Sequence, residues 1–228
     1  MVGLALVVAT GCLRVPLPGP PPGPQPDRIA VYGDSLLHSA GPRWRWIIAS
    51  SLPDWGTVDR TEWGTAPCDH LEQMEADARS RWNIRVVVLA YFGNQATPCT
   101  QGHDVETLYR ADLLAAVELW RTQGVRVVLA VPPGRVDDEP LSPGARAALD
   151  VAEQGGVELV DLTGTFVDPT TGRYARELDG EVVRADDGVH LCEPGPPDPL
   201  VCPADAPGVV LFADPVVDAA VGQARLVK

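Results

Sequence analysis

The chain alternates between short apolar runs and longer segments in which apolar residues recur every three or four positions. The apolar runs occupy residues 29–32, 84–91, 125–131 and 157–162, and residues 57–61 are a fifth candidate strand. Runs of this length with little internal alternation are typical of strands buried on both faces of a parallel sheet. The run at residues 84–91, Ile-Arg-Val-Val-Val-Leu-Ala-Tyr, gives the clearest prediction of a buried strand.

The segments between these runs carry helical signals. Residues 36–52 are helical in character, with a restart at Gly41-Pro42, because proline fits a first helical position and not a helix interior. Further helices are predicted over residues 71–81, 104–123, 142–156 and 215–226. Five strands alternating with helices predict an α/β fold, a three-layer α/β/α domain around a five-stranded parallel sheet.

The first 26 residues differ from the rest of the chain. Residues 1–12 are small and apolar and end in Ala9-Thr10-Gly11-Cys12, which resembles the lipobox of bacterial lipoproteins. That resemblance implies a lipid on Cys12 and an extracytoplasmic location at the outer face of the cell membrane. An uncleaved secretory signal or a plain apolar tail are the alternatives. Residues 13–26 are proline-rich and predict an extended tether, so the folded domain is expected over residues 27–228.

Charge and cysteine content narrow the class of protein. The chain has 31 acidic and 18 basic side chains, a net charge of -13, which opposes binding to nucleic acid phosphates. We therefore expect no nucleic acid partner. The five cysteines include no Cys-x-x-Cys pair of the kind that holds structural zinc, so no metal is expected.

An exported chain would use cysteine pairs as disulfides. If Cys12 is lipidated, four cysteines remain for two disulfides, and the local pairing joins Cys68 with Cys99 and Cys192 with Cys202. The sequence alone does not determine this connectivity. Reduced thiols in a cytosolic chain are the alternative.

Candidate chemistry begins where the first strand ends, at Gly33-Asp34-Ser35. Glycine permits a sharp turn there, which would present the Ser35 hydroxyl at the carboxyl end of the sheet. A serine needs a base, and Asp187 and His190 are separated by three residues, which lets both side chains point the same way. His190 would take the serine proton and Asp187 would orient the imidazole. The competing interpretations are plain turns at both places, or a metal site that includes Asp186.

Together these motifs resemble a known family. Gly33-Asp34-Ser35-Leu36 resembles the first block of the GDSL, or SGNH, hydrolases, and Asp187-Gly-Val-His190 resembles their last block, in the same order along the chain. The resemblance implies a flavodoxin-like three-layer fold and a serine esterase that forms an acyl-serine intermediate. Its substrates would be O-acyl esters of carbohydrate, cell-wall polymer or lipid. We expect no cofactor and a monomeric enzyme that meets the membrane only through Cys12.

The family resemblance also implies an oxyanion hole. Its donors would be the N-H of Ser35, the N-H of Gly64 and the side chain of Asn94, which follow the first three strands. The third block of the family is usually Gly-x-Asn-Asp, whereas residues 92–95 read Phe-Gly-Asn-Gln. Phe92 therefore stands where the family usually has glycine, and the substrate pocket is expected to differ in shape there.

Two other functions fit the same motifs. An acyltransferase would use the same serine and pass the acyl group to a sugar hydroxyl, and a surface binding module would keep the fold without catalysis. The complete set of Ser35, Asp187 and His190 argues against the binding module.

The other histidines and Arg184 are interpreted mainly as residues outside the catalytic machinery. His38 follows Ser35 by three residues but has no acidic partner at fixed spacing, so it is not the expected base. His70 and His103 are interpreted as surface or capping residues. Arg184 would either pair with Asp186 or Glu181, or bind an anionic substrate group.

Overall fold

Five parallel strands form the central sheet in the computed structural model, which describes residues 25–136, 141–193 and 201–227. They lie in the order β2-β1-β3-β4-β5. Their bounds are β1 Asp27–Gly33, β2 Gly56–Thr61, β3 Asn83–Ala90, β4 Arg126–Val131 and β5 Glu158–Asp161. This is the flavodoxin-like order, in which the crevice for a ligand opens between β1 and β3 at the carboxyl ends of the strands. The predicted parallel sheet is confirmed.

In the described part of the chain, six helices cover the two faces of the sheet. They are α1 Ser35–Ser39, α2 Gly41–Ser51, α3 Pro67–Ala78, α4 Val105–Thr122, α5 Pro143–Gly155 and α6 Pro207–Arg225. Successive residues of a strand point to opposite faces. Accordingly Ile29 and Val31 pack with α1, α2 and α6 in one apolar cluster. Ala30 and Tyr32 pack with α3, α4 and α5 in the other. The predicted three-layer α/β/α architecture is confirmed.

The starts of two helices lie several residues before their predicted positions. Helix α3 begins at Pro67 and not at residue 71, because Asp69 accepts a hydrogen bond from the N-H of Ala66 at 2.8 Å and so caps an earlier start. Helix α6 begins at Pro207 and not at Pro215, which lies inside the helix. Pro215 removes only the hydrogen bond to the carbonyl of Leu211, a residue that is 36% exposed.

A small hairpin of strands β6 (Glu177–Leu178) and β7 (Glu181–Val182) was not predicted. Its turn residues, Asp179 with φ 52° and Gly180 with φ 83°, both adopt positive φ. Asp-Gly is the usual sequence of such a two-residue turn. Strands of two residues are too short to show a periodic pattern, so only the turn dipeptide could have revealed them.

Both predicted disulfides are present. Cys68 pairs with Cys99, and Cys192 with Cys202. The first joins the start of α3 to the loop after β3, and the second closes the segment that follows His190. Cys12 and most of the predicted tether fall within residues 1–24, outside the described part of the chain. Among the described residues, no helix is both long and apolar enough to cross a membrane.

Candidate active site

Ser35 lies at the carboxyl end of β1, where the chain turns sharply into α1. A Cβ at Gly33 would lie 2.5 Å from the carbonyl oxygen of Ala90, so only glycine allows β1 and β3 to approach this closely at the turn. Asp34 caps α1 by accepting a hydrogen bond from the N-H of Leu36 at 3.1 Å. The turn places the Ser35 side chain in the wall of a cavity.

The structure brings Ser35, His190 and Asp187 into one hydrogen-bonded chain. The Oγ of Ser35 lies 3.2 Å from Nε2 of His190, although the two residues are 155 positions apart. Nδ1 of His190 lies 2.5 Å from Oδ2 of Asp187. In this arrangement a carboxylate orients an imidazole, and the imidazole faces a hydroxyl, which is the geometry that activates a serine nucleophile.

Asp187 is held in its charged form by the turn that carries it. The N-H groups of Val189 and His190 donate to its Oδ1 at 2.8 and 3.0 Å. Partial burial opposes ionisation, but the hydrogen bonds from the side chain and backbone of His190 and from the backbone of Val189 outweigh it, and the pKa of Asp187 is lowered. A carboxylate that stays ionised can stabilise an imidazolium beside it.

Trp63 stacks on the imidazole of His190. The ring centroids are 4.5 Å apart and the planes are inclined by 23°. His38 meets Trp63 edge-on at 6.5 Å, and its Nδ1 lies 3.0 Å from the carbonyl oxygen of Thr61, so His38 faces the aromatic ring and not Ser35. Sequence reasoning missed Trp63. Its only signal was an aromatic residue directly before the candidate oxyanion glycine.

Ser35 and Gly64, which carry the two predicted backbone donors of the oxyanion hole, both line the cavity. Within the described residues the N-H groups of Ser35 and Gly64 donate to no other protein group. Gly64 has φ +69°, a backbone conformation that favours glycine. A Cβ at this position would meet no atom within 4 Å, so crowding does not explain the glycine. Their role in binding an oxyanion remains a prediction.

Asn94 also lines the cavity, but its amide is engaged. Its Nδ2 donates to the carbonyl oxygen of Thr65 at 2.8 Å and to Oδ2 of Asp34 at 3.3 Å. An amide nitrogen has two N-H groups, so Asn94 can donate to an oxyanion only when the longer of these two bonds gives way.

Asp34 is a buried carboxyl beneath the site, 1% exposed. Burial raises its pKa to about 7, although the N-H groups of Phe92 and Leu36 act in the opposite direction. Phe92 occupies the place of the usual family glycine, and its backbone N-H donates to Asp34. A backbone N-H is available from any residue except proline, so this contact tolerates phenylalanine.

The cavity above Ser35 has a volume of about 810 Å³. It is lined by Ser35, Asp187 and His190 together with Trp63, Gly64 and Asn94, and by residues at the start of α5. A pocket of this size with a few convergent polar groups is typical of a small-molecule or polymer-end site.

Of the two histidines predicted at the surface or as caps, one is where the sequence predicted it and the other is not. His103 is exposed, as predicted. His70 was predicted at the surface or as a cap but is buried, and its Nδ1 lies 2.7 Å from the hydroxyl of Tyr91. The apolar side of α3 carries it inward.

Arg184 pairs with neither Asp186 nor Glu181. It is fully buried, donates to the carbonyl oxygens of Gly134, at 3.0 Å, and Val189, and lies 4.0 Å above the ring of Phe166. Burial lowers its pKa to about 10. Arg184 therefore supports the turn that carries Asp187 and His190 from below, and it does not reach a substrate.

One cluster of metal-binding residue types occurs in the described part of the chain, formed by Cys68, Asp69 and Cys99. Both cysteines belong to a disulfide, and a disulfide sulfur is not the thiolate that binds a metal. This cluster does not fit a metal site.

Comparison with known proteins places the fold in a class. The structure resembles a lipase/acylhydrolase from Enterococcus faecalis with a TM-score of 0.63 and 17% identity, over 86% of this chain and 96% of that chain. It resembles a member of the lipolytic G-D-S-L family from Veillonella parvula with a TM-score of 0.57 and 17% identity, over 84% and 97%. It also resembles the acetyl xylan esterase AlAXEase with a TM-score of 0.55 and 18% identity, over 72% and 91%.

The chain therefore has the α/β/α fold of the GDSL/SGNH hydrolases. No protein-family model matches its sequence, and no curated protein matches it significantly.

Proposed function

We propose that the protein is a serine ester hydrolase of the SGNH type. The observation that carries this proposal is the hydrogen-bonded chain from Asp187 through His190 to Ser35 in the wall of an open cavity. A surface binding module would need neither a paired imidazole nor a serine presented on a glycine turn. The similarity in fold to proteins described as acylhydrolases and esterases supports the same reaction class.

The proposed reaction has two steps. In the first, Oγ of Ser35 attacks the ester carbonyl carbon while Nε2 of His190 takes the hydroxyl proton, and the tetrahedral intermediate then expels the alcohol, which leaves with that proton. In the second, His190 takes a proton from water as the water attacks the acyl-serine. The carboxylic acid is released and Ser35 recovers its proton. Asp187 stabilises the imidazolium in both steps.

The N-H groups of Ser35 and Gly64 are the proposed oxyanion donors, with Asn94 as a third once its bond to Asp34 is released. Preset donors of this kind stabilise developing charge, and loss of one typically raises the barrier by about 2.7 to 4 kcal/mol. Because both backbone donors are unengaged in the described chain, they need no rearrangement before the reaction.

The proposed substrates are O-acyl esters of carbohydrate, cell-wall polymer or lipid. The cavity is open and its wall combines polar side chains with apolar ones, which suits both a hydroxylated alcohol part and an acyl chain. One structural neighbour is described as an acetyl xylan esterase and another as a lipase/acylhydrolase, so the neighbours span both substrate types.

We further propose that the protein is a monomer exported from the cytoplasm and anchored through a lipid on Cys12. The two disulfides support export, because such bonds persist in oxidising compartments. Expression of the full chain and of Cys12→Ala, followed by membrane fractionation, tests the anchor. We expect the parent protein in the membrane fraction and the Cys12→Ala variant in the soluble fraction. The same distribution for both proteins would contradict the lipid anchor.

The catalytic proposal is tested with p-nitrophenyl acetate and the full chain. We expect p-nitrophenol release by the parent, and loss to near background in Ser35→Ala and in His190→Ala, with unchanged circular dichroism. An active Ser35→Ala variant would overturn the assignment of the nucleophile. An inactive, folded parent would favour the binding module.

A further inference from the structure

The catalytic cavity differs in charge from the rest of the molecule. The chain carries a net charge of -13, yet among the described residues that line this cavity the charged side chains, apart from His190, are Arg135, Arg146 and Asp187. Asp187 is already occupied by His190. Arg146 pairs with Glu106, so the charge left unpaired among the described lining residues is the guanidinium of Arg135, in a protein whose acidic side chains outnumber its basic ones by 31 to 18.

Arg135 lies beside the catalytic residues, in the loop that follows β4. Its Nη2 donates to the carbonyl oxygen of Asp187 at 3.3 Å. No carboxylate among the described residues pairs with it, and its side chain is exposed. The guanidinium is thus next to the reacting groups with most of its N-H donors unused.

Arg146 is held in place on α5. Its Nε donates to Glu106 at 2.6 Å and its Nη1 to the carbonyl oxygen of Leu141 at 2.7 Å, while Nη2 has no partner in the described part of the chain. Arg146 also lines a neighbouring cavity of about 290 Å³, together with the acidic residues Asp104 and Glu106. An anionic group of a substrate is therefore expected on the Ser35 side of Arg146 and not beyond it.

We propose that this cavity selects esters that carry an anionic group, a carboxylate or a phosphate, and that Arg135 and Arg146 bind that group. Guanidinium groups match the geometry of these anions and bind them with charge-assisted hydrogen bonds. Fixing Arg146 beforehand reduces the side-chain entropy lost on binding. The inference rests on the proposed esterase function and specifies its substrate class.

The test compares matched esters that differ in charge. For an anion in the acyl part, mono-4-nitrophenyl adipate is compared with 4-nitrophenyl hexanoate. For an anion in the alcohol part, 4-acetoxybenzoate is compared with 4-acetoxybenzamide. The ratio of kcat/KM, anionic over neutral, is measured for the parent, Arg135→Gln, Arg135→Lys and Arg146→Gln, with Arg79→Gln, at an exposed arginine directly after α3, as the control.

We expect the ratio for at least one pair to fall about tenfold in Arg135→Gln, less in Arg135→Lys, and not at all in Arg79→Gln. Added salt should lower the parent's ratio, because it screens exposed charges. If Arg135→Gln and Arg146→Gln both keep the parent's ratio for both ester pairs, this inference is overturned. The proposed esterase function would still stand. No hydrolysis of any of the four esters by the parent would overturn both.

Discussion

At the scale of single residues, the imidazole of His190 is restrained on three sides. Asp187 holds Nδ1, Ser35 faces Nε2, and Trp63 covers one ring face. An aromatic face also attracts a cation, so Trp63 should favour the imidazolium that forms during the reaction. Trp63 is therefore a positioning residue and not a catalytic one.

Replacement of Trp63 tests this role. We expect Trp63→Leu to lower kcat about tenfold with little change in KM, because the base loses its orientation while the rest of the cavity remains. Trp63→Phe should restore most of the activity. The control is Trp82→Leu, a half-exposed tryptophan that packs on Arg60. Equal effects at the two positions, or a change confined to KM, would show that Trp63 does not position the base.

Asp34 makes stability depend on pH. Its pKa is about 7 in the folded protein, above the ordinary aspartate value of 3.8 that applies to the unfolded chain, so the folded state binds its proton more tightly. The resulting stability is fully present below the unfolded pKa and is lost as the pH rises through about 7.

Urea unfolding of the parent and of Asp34→Asn between pH 4 and pH 8 measures this contribution. The parent should lose free energy of unfolding relative to the variant as the pH rises across that range. A difference between the two proteins that stays constant with pH would show that Asp34 does not titrate in this way.

At the scale of elements, helix α6 presses against the loop that carries His190. A Cβ at Gly208 would lie 2.1 Å from the carbonyl oxygen of Val183 and 2.5 Å from that of Leu191, the residue after His190. The backbone of α6 can approach this loop only because position 208 is glycine.

Gly208→Ala should therefore destabilise the protein by about 1 to 3 kcal/mol and also lower kcat, since the displaced loop carries the base. Gly222→Ala is a matched control in the same helix, where a Cβ would meet nothing within 4 Å. There alanine should stabilise the helix by up to about 1 kcal/mol. Thermal unfolding and ester hydrolysis of both variants measure the effect, and similar behaviour of the two would contradict this account of the packing.

The elements that could be predicted from sequence are those with a clear period. Strand β3 is a continuous apolar run and α4 has a regular stripe, so both were placed within two residues. The pair β6 and β7 lacks the length for any period. The prediction starts the last helix at Pro215, whereas α6 begins at Pro207 and continues through Pro215.

For the site, the same contrast holds. Ser35, Asp187 and His190 stand in contiguous motifs, so sequence alone could nominate them. Trp63, Arg135 and Arg146 enter the cavity from three separate segments, and sequence does not show how such segments converge. The two bonds that engage the amide of Asn94 likewise depend on three-dimensional contacts with Thr65 and Asp34.

At the scale of the whole molecule, two disulfides tie the loops of the site to the body of the domain. Cys68 and Cys99 are 31 residues apart, and Cys192 and Cys202 are 10 apart. The first links the segment after Gly64 to the segment after Asn94, so it should also fix the distance between these two predicted oxyanion residues.

Removal of the Cys68–Cys99 bond by a double alanine variant should lower the free energy of unfolding by about 3 to 4 kcal/mol, and removal of Cys192–Cys202 by about 2 to 3 kcal/mol, since the longer loop gains more entropy when released. Chemical denaturation of the two variants measures both values. A smaller loss for the longer loop would contradict this ordering. The first variant should also lose more activity than its stability change explains at a temperature where it is fully folded.

The central claim is that Ser35 is a nucleophile activated by His190. Its most direct measurement is the intact mass and peptide map of the full chain after reaction with a p-nitrophenyl phosphonate. We expect a single adduct on Ser35, formed far more slowly in His190→Ala and absent in Ser35→Ala. No adduct on the folded parent, or an adduct on another residue, would contradict it.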